Sequence, residues 1–378
     1  MNVGIVRETE GGERRVALVA DSVKALVGKG HSVIVEAGAG SAAGVSDEHY
    51  TQAGASLADS ATEVLQNADI VLRVTPPTDS ESMRSGSTLV SFLFPSARLP
   101  LIQRLAERNV TTFAMDLIPR ITRAQSMDAL SAMSTIAGYK GALAAADHLP
   151  KFFPMLMTAA GTLPPARVLV IGAGVAGLQA IATCKRLGAI VEAFDVRPAV
   201  KEQVESLGAR FVALEIVFDE TQDASGYAKE VSADTHTKEL ELIASRMEKN
   251  DVVITTALIP GRPAPVLITK DMVHRMSPGS VIVDLAAVNG GNCEATVPGE
   301  TIVFDGVTVL GPTDLLSQMA SDASRMYSKN ITEFLLNLAP EGNLNINMED
   351  QIIRETLVTH DGRVQHEPTR LLLEREGK

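Results

Sequence analysis

The amino-acid sequence predicts an α/β protein with two doubly wound domains, each built on a parallel sheet, that are linked by long helices. Short and nearly uninterrupted runs of Val, Ile and Leu alternate with helical patterns along the chain. Strands of this kind are typical of parallel sheets whose two faces are both covered by helices. The length of 378 residues, 45% of them hydrophobic, is sufficient for about two such domains.

The first domain is expected to draw its strands from the N-terminal part of the chain. These strands are "VGIV", "SVIVEAG", "ADIVLRV", "STLVSFLF" and "TTFAMDLI", with helices such as "DSVKALVGKG" and "PLIQRLAERN" between them. A long helix over about residues 125–148 leads into the second domain, and another in "SDASRMYSKNITEFLLNLAP" leads back. We therefore expect a discontinuous first domain, residues 1–131 and 322–378, and a second domain at residues 132–321.

The second domain repeats the alternation of strands and helices. Its expected strands are "RVLVIGAG", "AIVEAFDV", "ARFVAL", "DVVITTAL", "SVIVDLA" and "VTVLG". Residues 218–239 interrupt this rhythm, since they have no apolar period and are rich in charged residues, Ser, Ala and Gly. Long segments of this kind are either ordinary surface insertions or lids over functional sites, and we expect an exposed, mobile loop here.

The composition argues against several classes of protein. The net charge of −12 and the pI near 5.1 disfavour nucleic-acid binding, which requires a basic surface. Cys184 and Cys293 are too few for a disulfide framework, suit a reducing compartment and have no nearby ligand partner, so we expect no metal site. The N-terminus leads directly into a strand, and no stretch approaches the roughly 18 apolar residues of a membrane span. We therefore expect neither a signal peptide nor a transmembrane helix.

The segment "RVLVIGAGVAGLQAIATCKRLGAIVEAFDVRP" carries the strongest functional signal in the sequence. An expected strand ends at Ile171, and Gly172, Gly174 and Gly177 follow in G-x-G-x-x-G spacing before an amphipathic helix. In such a turn the first glycine permits the tight bend, and the second lets the backbone approach a pyrophosphate. The third lets the helix pack closely on the strand. The segment predicts a Rossmann-like domain that binds a dinucleotide.

The acidic residue expected at the end of the following strand is also present. Asp195 lies 18 residues after Gly177, where a carboxylate accepts hydrogen bonds from the adenosine ribose and repels a 2′-phosphate, so NAD(H) is favoured over NADP(H). Arg197 leaves two alternatives, a contact with the nucleotide or a surface or partner contact. The residues expected to line the dinucleotide are Gly172, Ala173, Gly174, Val175, Ala176, Gly177, Asp195, Val196, Arg197, Ala257 and Leu258. The first domain has no equivalent glycine motif, so we expect one dinucleotide site.

A second unusual stretch is "PRITRAQSMDALS", residues 119–131, which lies between an expected strand and the long helix. It holds two arginines, a glutamine, an aspartate and two serines, more hydrogen-bonding side chains than a connection requires. The segment "GERRVALVADSVKALVGKGHSVIVEAGAG" and the nucleotide domain resemble the alanine dehydrogenase and nicotinamide nucleotide transhydrogenase superfamily, and residues 119–131 distinguish its branches. The pattern R-x4-Q-x2-D-x2-S is similar to a loop of the NAD(H)-binding component of proton-translocating transhydrogenases.

The resemblance implies roles for five residues at the nicotinamide end of NAD(H). It implies Arg120 and Ser131 at the carboxamide, and Gln125 at the nicotinamide ribose, reaching toward the incoming nucleotide. Asp128 would orient its neighbours, and Tyr227 would belong to the family's mobile loop, which closes over the bound nucleotide. Two alternatives stay open: Asp128 and Ser131 cap the long helix, and Arg120 pairs with a surface carboxylate.

The chain departs from the alanine dehydrogenase branch at the residues that handle a keto acid. Arg15 matches the carboxylate-binding arginine of that branch, but Arg73 replaces its lysine. The segment "SFLFPSARL" lacks its catalytic histidine, and Asn289 stands in place of its catalytic aspartate. Hydride transfer between two nicotinamides requires no such groups, because the protein contributes mainly positioning.

The resemblance therefore implies the NAD(H)-binding component of a proton-translocating transhydrogenase. NADH would deliver its hydride to NADP+ held by a separate NADP(H)-binding domain, coupled to proton translocation by a membrane domain, with no turnover when these partners are absent. The resemblance also implies a homodimer, located in the cytoplasm at the inner face of the membrane through its partner subunits. The alternatives are an amino acid dehydrogenase of the alanine dehydrogenase type and a non-catalytic NAD(H)-binding module.

Overall fold

The structure is a computed structural model that describes residues 1–213, 233–258, 263–340 and 342–376. The chain forms two compact units, Met1–Met133 with Leu316–Lys378, and Ser134–Leu315. The boundaries expected from the sequence, at 131/132 and 321/322, differ from these by two and six residues.

Short strands alternate with helices over the described residues. The strands are β1 Asn2–Ile5, β2 Ser32–Glu36, β3 Ser56–Ala58, β4 Ile70–Leu72, β5 Thr88–Ser91, β6 Thr111–Ala114, β7 Leu156–Thr158, β8 Gly161–Leu163, β9 Arg167–Ile171, β10 Ile190–Phe194, β11 Arg210–Val212, β12 Val252–Thr255, β13 Val281–Asp284, β14 Thr301–Phe304, β15 Val307–Leu310, β16 Leu357–His360 and β17 Arg363–Val364. The helices are α1 Ala20–Gly28, α2 Asp47–Gln52, α3 Ala61–Asn67, α4 Leu99–Glu107, α5 Ala129–His148, α6 Val175–Arg186, α7 Lys201–Ser206, α8 Ala233–Met247, α9 Lys270–His274, α10 Ala320–Leu338, α11 Gln351–Thr356 and α12 Glu367–Glu376.

The sheet of the first unit has the strand order β17-β16-β6-β5-β4-β1-β2-β3. Strands β1 to β6 pair with one another in parallel, which confirms the fold class predicted from the buried apolar runs. The sequence analysis did not predict the antiparallel edge, in which β16 pairs with β6, and β17 pairs with β16. Asp361 and Gly362, both with positive φ, form the two-residue turn of this hairpin.

The sheet of the second unit has the order β11-β10-β9-β12-β13-β15-β14, and all its pairs are parallel except β14 with β15. Strand β9 is the first long strand of the unit and pairs with β10 on one side and with β12 on the other. The order of the strands therefore reverses at β9. In doubly wound sheets the carboxyl ends of the strands at this reversal form the ligand-binding crevice.

Both faces of β9 are buried. Val168 and Val170 belong to one hydrophobic cluster, whereas Leu169 and Ile171 belong to the cluster on the opposite face. Successive side chains of a strand point to opposite faces, so a strand between two helical layers needs apolar residues at every position. This packing explains the uninterrupted run "VLVI" in the sequence.

The long helix expected over residues 125–148 begins later than predicted. Thr122–Met127 forms a 3₁₀ turn, and α5 starts at Ala129, directly after Asp128. The boundary between the two units falls within this helix, after Met133. None of the helices in the described ranges is both long and apolar enough to span a membrane.

Both cysteines are packed into the second unit as apolar side chains. Cys184 is fully buried and Cys293 is 2% exposed. Burial raises the pKa of the Cys184 thiol to about 12 and that of Cys293 to about 11. The two thiols are not bonded to each other, and no group of three or more His, Cys, Asp or Glu side chains in the described parts of the chain is arranged to hold a metal ion.

Candidate dinucleotide site

The glycine motif forms the turn between β9 and α6. Gly172 has φ +94, and a Cβ atom built on it would lie 2.6 Å from Oγ1 of Thr256. A Cβ on Gly177 would lie 1.9 Å from the carbonyl oxygen of Gly172, so the helix packs on the turn without room for a side chain. A Cβ on Gly174 would meet no described atom within 4 Å. The fold therefore requires glycine at 172 and 177, whereas Gly174 keeps the backbone accessible to a bound group.

Helix α6 begins directly after this turn. Its N-cap is Gly174, which has no side chain to cap the N–H groups of the first turn, and Val175 is 39% exposed. Ala176 is partly buried, and a Cβ on Gly138 of α5 would lie 2.0 Å from its carbonyl oxygen, so the two helices are in close contact. Uncapped N–H groups at the positive end of a helix dipole suit a pyrophosphate, so the turn fits the expected dinucleotide.

Asp195 directly follows β10 and is 8% exposed. Its Oδ2 accepts a hydrogen bond from the backbone N–H of Ala173 at 2.7 Å, which ties the end of β10 to the glycine turn. The guanidinium of Arg197 lies on the same carboxylate, with Nε 2.8 Å from Oδ1 and Nη2 2.7 Å from Oδ2. Val196, between them, packs against the hydrophobic core. The structure thus places Asp195 beside the glycine turn, with the guanidinium of Arg197 hydrogen-bonded to its carboxylate.

Ala257 and Leu258 follow β12 at the same edge of the sheet. The N–H of Ala257 donates to Oδ1 of Asn292 at 3.0 Å, and Nδ2 of Asn292 donates to the carbonyl oxygen of Ala257 at 2.9 Å. The same Nδ2 also donates to the carbonyl of Pro265 at 2.8 Å. Leu258 is 40% exposed. The backbone after β12 is therefore held by a buried side chain from another loop.

Asp284, the last residue of β13, organises the loop that carries Asn292. The carboxylate is fully buried and accepts five hydrogen bonds. The donors are Thr255 Oγ1 at 2.9 Å, Ala286 N at 3.0 Å, Asn292 N at 2.8 Å, Cys293 N at 3.0 Å and Thr296 Oγ1 at 2.7 Å. The sequence analysis missed both Asp284 and Asn292. The position of Asp284 at the carboxyl end of a parallel strand was the available signal.

The residues of the R-x4-Q-x2-D-x2-S pattern lie in the first unit, on the segment that precedes α5. Asp128 accepts hydrogen bonds from N of Ser131 at 2.9 Å and from its Oγ at 2.6 Å. This is the geometry of the capping alternative, and it also fixes the orientation of the Ser131 hydroxyl. Arg120 and Gln125 are exposed.

This segment is fixed to α10 and to the start of α11. Arg123 donates from Nη1 to Oδ2 of Asp350 at 3.1 Å and to Oδ1 of Asn337 at 3.2 Å, and its Nη2 bonds the other oxygen of Asp350. The hydrogen bond from Arg123 lowers the pKa of the Asp350 carboxyl. Nδ2 of Asn330 donates to the carbonyl of Ser126 at 2.8 Å. Because both ends of the 3₁₀ turn are held, its exposed side chains project from a fixed backbone.

The predicted site residues are thus divided between the two units. The residues expected to line the dinucleotide lie in the second unit. The four residues of the R-x4-Q-x2-D-x2-S pattern lie in the first unit. Tyr227 lies outside the described residues, as does the first part of the expected loop. Residues 233–239 of that loop are helical and begin α8, where the sequence analysis expected no regular structure.

The two arginines compared with alanine dehydrogenase are buried and paired within the chain. Nε of Arg15 donates to Oε1 of Glu13 at 2.8 Å. Burial acts to raise the pKa of Glu13, but the hydrogen bonds and positive charge of Arg15, with a hydrogen bond from Ser317, together lower it. Arg73 is 1% exposed and pairs with Asp79 and, at 3.8 Å, with Glu8. Burial raises the pKa of Glu8. Arg15 and Arg73 therefore both form ion pairs with carboxylates of this chain.

The fold and the site define a dinucleotide-binding protein of the dehydrogenase class. The alanine dehydrogenase/PNT N-terminal domain matches residues 4–137, and the alanine dehydrogenase/PNT C-terminal domain matches residues 141–367. The chain belongs to the alanine dehydrogenase/PNT family. The resemblance found in the sequence is confirmed.

Similar proteins come from both branches of this family. The chain is 50% identical over 376 residues to the NAD(P) transhydrogenase subunit alpha of Cereibacter sphaeroides, covering 97% of this chain and 72% of that protein. It is 31% identical over 383 residues to the alanine dehydrogenase of Mycolicibacterium smegmatis, covering 97% and 95%. The crystal structure of transhydrogenase from Sinorhizobium meliloti superposes with a TM-score of 0.87 at 43% identity, covering 96% and 100%.

Proposed function

We propose that this chain is the NAD(H)-binding component of a proton-translocating NAD(P) transhydrogenase. The identity of 50% to a transhydrogenase subunit, against 31% to an alanine dehydrogenase, supports that branch of the family. The observation that carries the proposal is the fixed loop of the first unit, which presents Arg120 and Gln125 on its surface and holds Asp128 against Ser131.

NADH bound in this site supplies the hydride. The turn at Gly174 and the N-terminus of α6 bind the pyrophosphate, and Asp195 accepts hydrogen bonds from the adenosine ribose. Arg120 and Ser131 hold the carboxamide, and Gln125 positions the nicotinamide ribose. No proton has to move at the reacting carbon, so a set of hydrogen-bonding groups that fixes the ring is sufficient.

The hydride acceptor is NADP+ held by a separate NADP(H)-binding domain, and a membrane domain couples the transfer to proton translocation. The name of the Cereibacter sphaeroides relative, a subunit alpha, supports the existence of partner subunits. Through them the chain is held at the inner, cytoplasmic face of the membrane. Without them it binds NADH but does not turn over.

A second copy of the chain is a further proposed partner, through the hairpin formed by β7 and β8. This hairpin is a separate two-stranded sheet in the second unit. Large apolar side chains on it and just before it are exposed: Phe152 at 56%, Met155 at 57%, Met157 at 77% and Leu163 at 46%. A concentration of exposed apolar side chains is typical of surfaces that another protein covers. The exposure of these side chains supports a homodimer formed through the second unit.

The proposed function is tested by following NADH in the presence of the full chain. Its absorbance is followed in the first step. In the second step NAD+, NADH, NADP+ and NADPH are separated by chromatography, because NADH and NADPH absorb alike. Pyruvate and ammonium are added first, and then NADP+ with the NADP(H)-binding domain of a transhydrogenase. We expect no oxidation in the first step and hydride transfer in the second, while the partner domain without this chain should oxidise no NADH. Oxidation by pyruvate and ammonium would identify an alanine dehydrogenase-type enzyme. Binding of NADH without transfer in either step would identify a non-catalytic module.

A further inference from the structure

The carboxylate of Asp195 already accepts four hydrogen bonds from the protein. Oδ1 accepts from the backbone N–H of Arg197 at 2.9 Å and from its Nε at 2.8 Å. Oδ2 accepts from the backbone N–H of Ala173 at 2.7 Å and from Nη2 of Arg197 at 2.7 Å. A carboxylate offers about four lone-pair positions, two on each oxygen, and four donors occupy them here.

Two of the four donors are fixed and two are removable. The N–H groups of Ala173 and Arg197 belong to the backbone at the ends of β9 and β10, so they stay in place when a ligand binds. The guanidinium of Arg197 is at the end of a flexible side chain that is 14% exposed. The hydroxyl groups of an adenosine ribose therefore compete with this guanidinium for Asp195.

We propose that Arg197 is a displaceable latch on Asp195 that sets the affinity and the selectivity of the site for the adenosine end of the dinucleotide. This inference rests on the proposed function only in that NAD(H) binds at the glycine turn. When the latch is closed, the guanidinium of Arg197 lies on the carboxylate of Asp195. The ribose hydroxyls of NADH compete with it for the same carboxylate oxygens, and this competition weakens NADH binding. The same competition favours release of the nucleotide, because the arginine replaces the ribose on the carboxylate as the nucleotide leaves.

The same pair determines how the site responds to a 2′-phosphate. An arginine near the ribose accommodates the 2′-phosphate in NADP(H)-binding domains. Here Arg197 is held by a bidentate carboxylate, and that carboxylate also repels the phosphate. Selection against NADP(H) is thus a property of the pair, and it depends on Asp195 keeping Arg197 in place. Neutralising the aspartate weakens the hold of residue 195 on the arginine and, in the same substitution, removes the repulsion of the phosphate.

Four forms of the full chain test the latch: the wild type, Arg197→Met, Asp195→Asn and the double variant. Methionine keeps an unbranched stem but has no donor. NADH and NADPH binding are measured by calorimetry, and adenosine 5′-monophosphate and adenosine 2′,5′-bisphosphate serve as probes that lack the nicotinamide end. Thermal unfolding shows that each variant is folded, and Arg197→Lys, which keeps the charge without the bidentate geometry, provides an intermediate.

We expect Arg197→Met to bind NADH and the 5′-monophosphate about 3- to 10-fold more tightly, since a charge-assisted hydrogen bond no longer has to be broken. NADPH binding should stay undetectable in this variant. Asp195→Asn should lose at least about tenfold in NADH affinity and gain measurable binding of NADPH and the 2′,5′-bisphosphate. The double variant, which lacks the arginine as well, should not bind NADPH or the 2′,5′-bisphosphate measurably.

Weaker NADH binding by Arg197→Met would overturn the latch and make Arg197 a direct contact of the nucleotide. The latch would also fail if the double variant bound the 2′,5′-bisphosphate as tightly as Asp195→Asn does. Both of these outcomes are measured as nucleotide affinities, not as rates of hydride transfer. The absence of hydride transfer to NADP+, with the expected affinities intact, would instead contradict the proposed function and leave the latch standing.

Discussion

Asn292 bonds both backbone groups of Ala257, accepting from its N–H at 3.0 Å and donating to its carbonyl oxygen at 2.9 Å. The side chain thereby replaces a strand neighbour at the point where β12 ends. The conformation of the backbone at this edge of the sheet consequently depends on a residue that follows β13.

Removing this amide should damage both the fold and the site. In Asn292→Ala, three partly buried backbone groups lose a partner. An unsatisfied buried group costs about 1–3 kcal/mol, and water relieves part of that cost here. We expect a loss of about 2–4 kcal/mol in the free energy of unfolding, measured in urea, and weaker binding of NADH. Val288→Ala changes a side chain of the same loop that is 59% exposed and should leave both quantities unchanged. Equal effects of the two substitutions would contradict the bridging role.

The two glycines at the start of α6 should have separable effects. Gly177→Ala places a methyl group 1.9 Å from a carbonyl oxygen, so the helix must shift, at a cost of about 3 kcal/mol. Gly174→Ala meets no described atom within 4 Å and should lower stability by no more than about 1 kcal/mol. It should nevertheless weaken NADH binding at least about tenfold, because the methyl group takes the place of the pyrophosphate. Unchanged binding by a folded Gly174→Ala chain would place the pyrophosphate elsewhere.

Gln125 should affect the rate of transfer more than the affinity. Gln125→Asn retracts the amide by one methylene, which should leave NADH binding within a few-fold and slow hydride transfer to NADP+ by about tenfold. Single-turnover measurements with the partner domain provide the rate, and a titration provides the affinity. Ser126→Ala, at the exposed neighbouring position, is the matched control. If binding and rate fall together, Gln125 is an ordinary affinity contact.

The ion pair of Glu13 and Arg15 should make stability depend on acid pH. The folded-state pKa of Glu13 lies below 4.5, so the pair contributes its full stability above pH 4.5 and loses it as the pH falls through the folded-state pKa. At pH 7, Glu13→Gln leaves a buried arginine unpaired and should cost about 3 kcal/mol, a difference that should shrink below pH 4.5. Glu10→Gln, whose partner Arg98 is exposed, should change little at any pH. A pH-independent loss in Glu13→Gln would contradict the role of the charge.

The β7–β8 hairpin should control self-association. Met157→Asp puts a charge on its most exposed apolar side chain and should raise the dissociation constant of the dimer at least about tenfold, as measured by sedimentation velocity. Val303→Asp, on the exposed edge strand β14 of the same unit, should leave the dimer intact. A monomeric wild type, or a Met157→Asp chain that associates normally, would refute the hairpin as the interface.

Local patterns in the sequence predicted most of the fold. The parallel strands follow from apolar runs, and the turn at Gly172 follows from the spacing of three glycines in a strand–helix context. The antiparallel edge carried a signal that was missed: Asp361-Gly362 is a typical two-residue hairpin turn. The start of α5 was misplaced because the donors and acceptors before Asp128 form a 3₁₀ turn.

The side chains that support the site could not be predicted in the same way. Asn292 is 35 residues away from Ala257, and Asp350 is 227 residues away from Arg123. Neither pair has a local pattern, since the partners meet only when the sheet and the helices have packed. The pairing of Arg197 with Asp195 is local, but the sequence alone left the arginine free to contact nucleotide or protein.

The burial of both thiols makes the native chain a suitable background for site-directed labelling. With their pKa values at about 12 and about 11, Cys184 and Cys293 stay protonated at neutral pH and inaccessible to maleimides. One cysteine introduced at an exposed position would then be the single reactive thiol. Two cysteines introduced in this way and labelled with fluorophores or spin labels report distances during nucleotide binding, without prior replacement of Cys184 and Cys293.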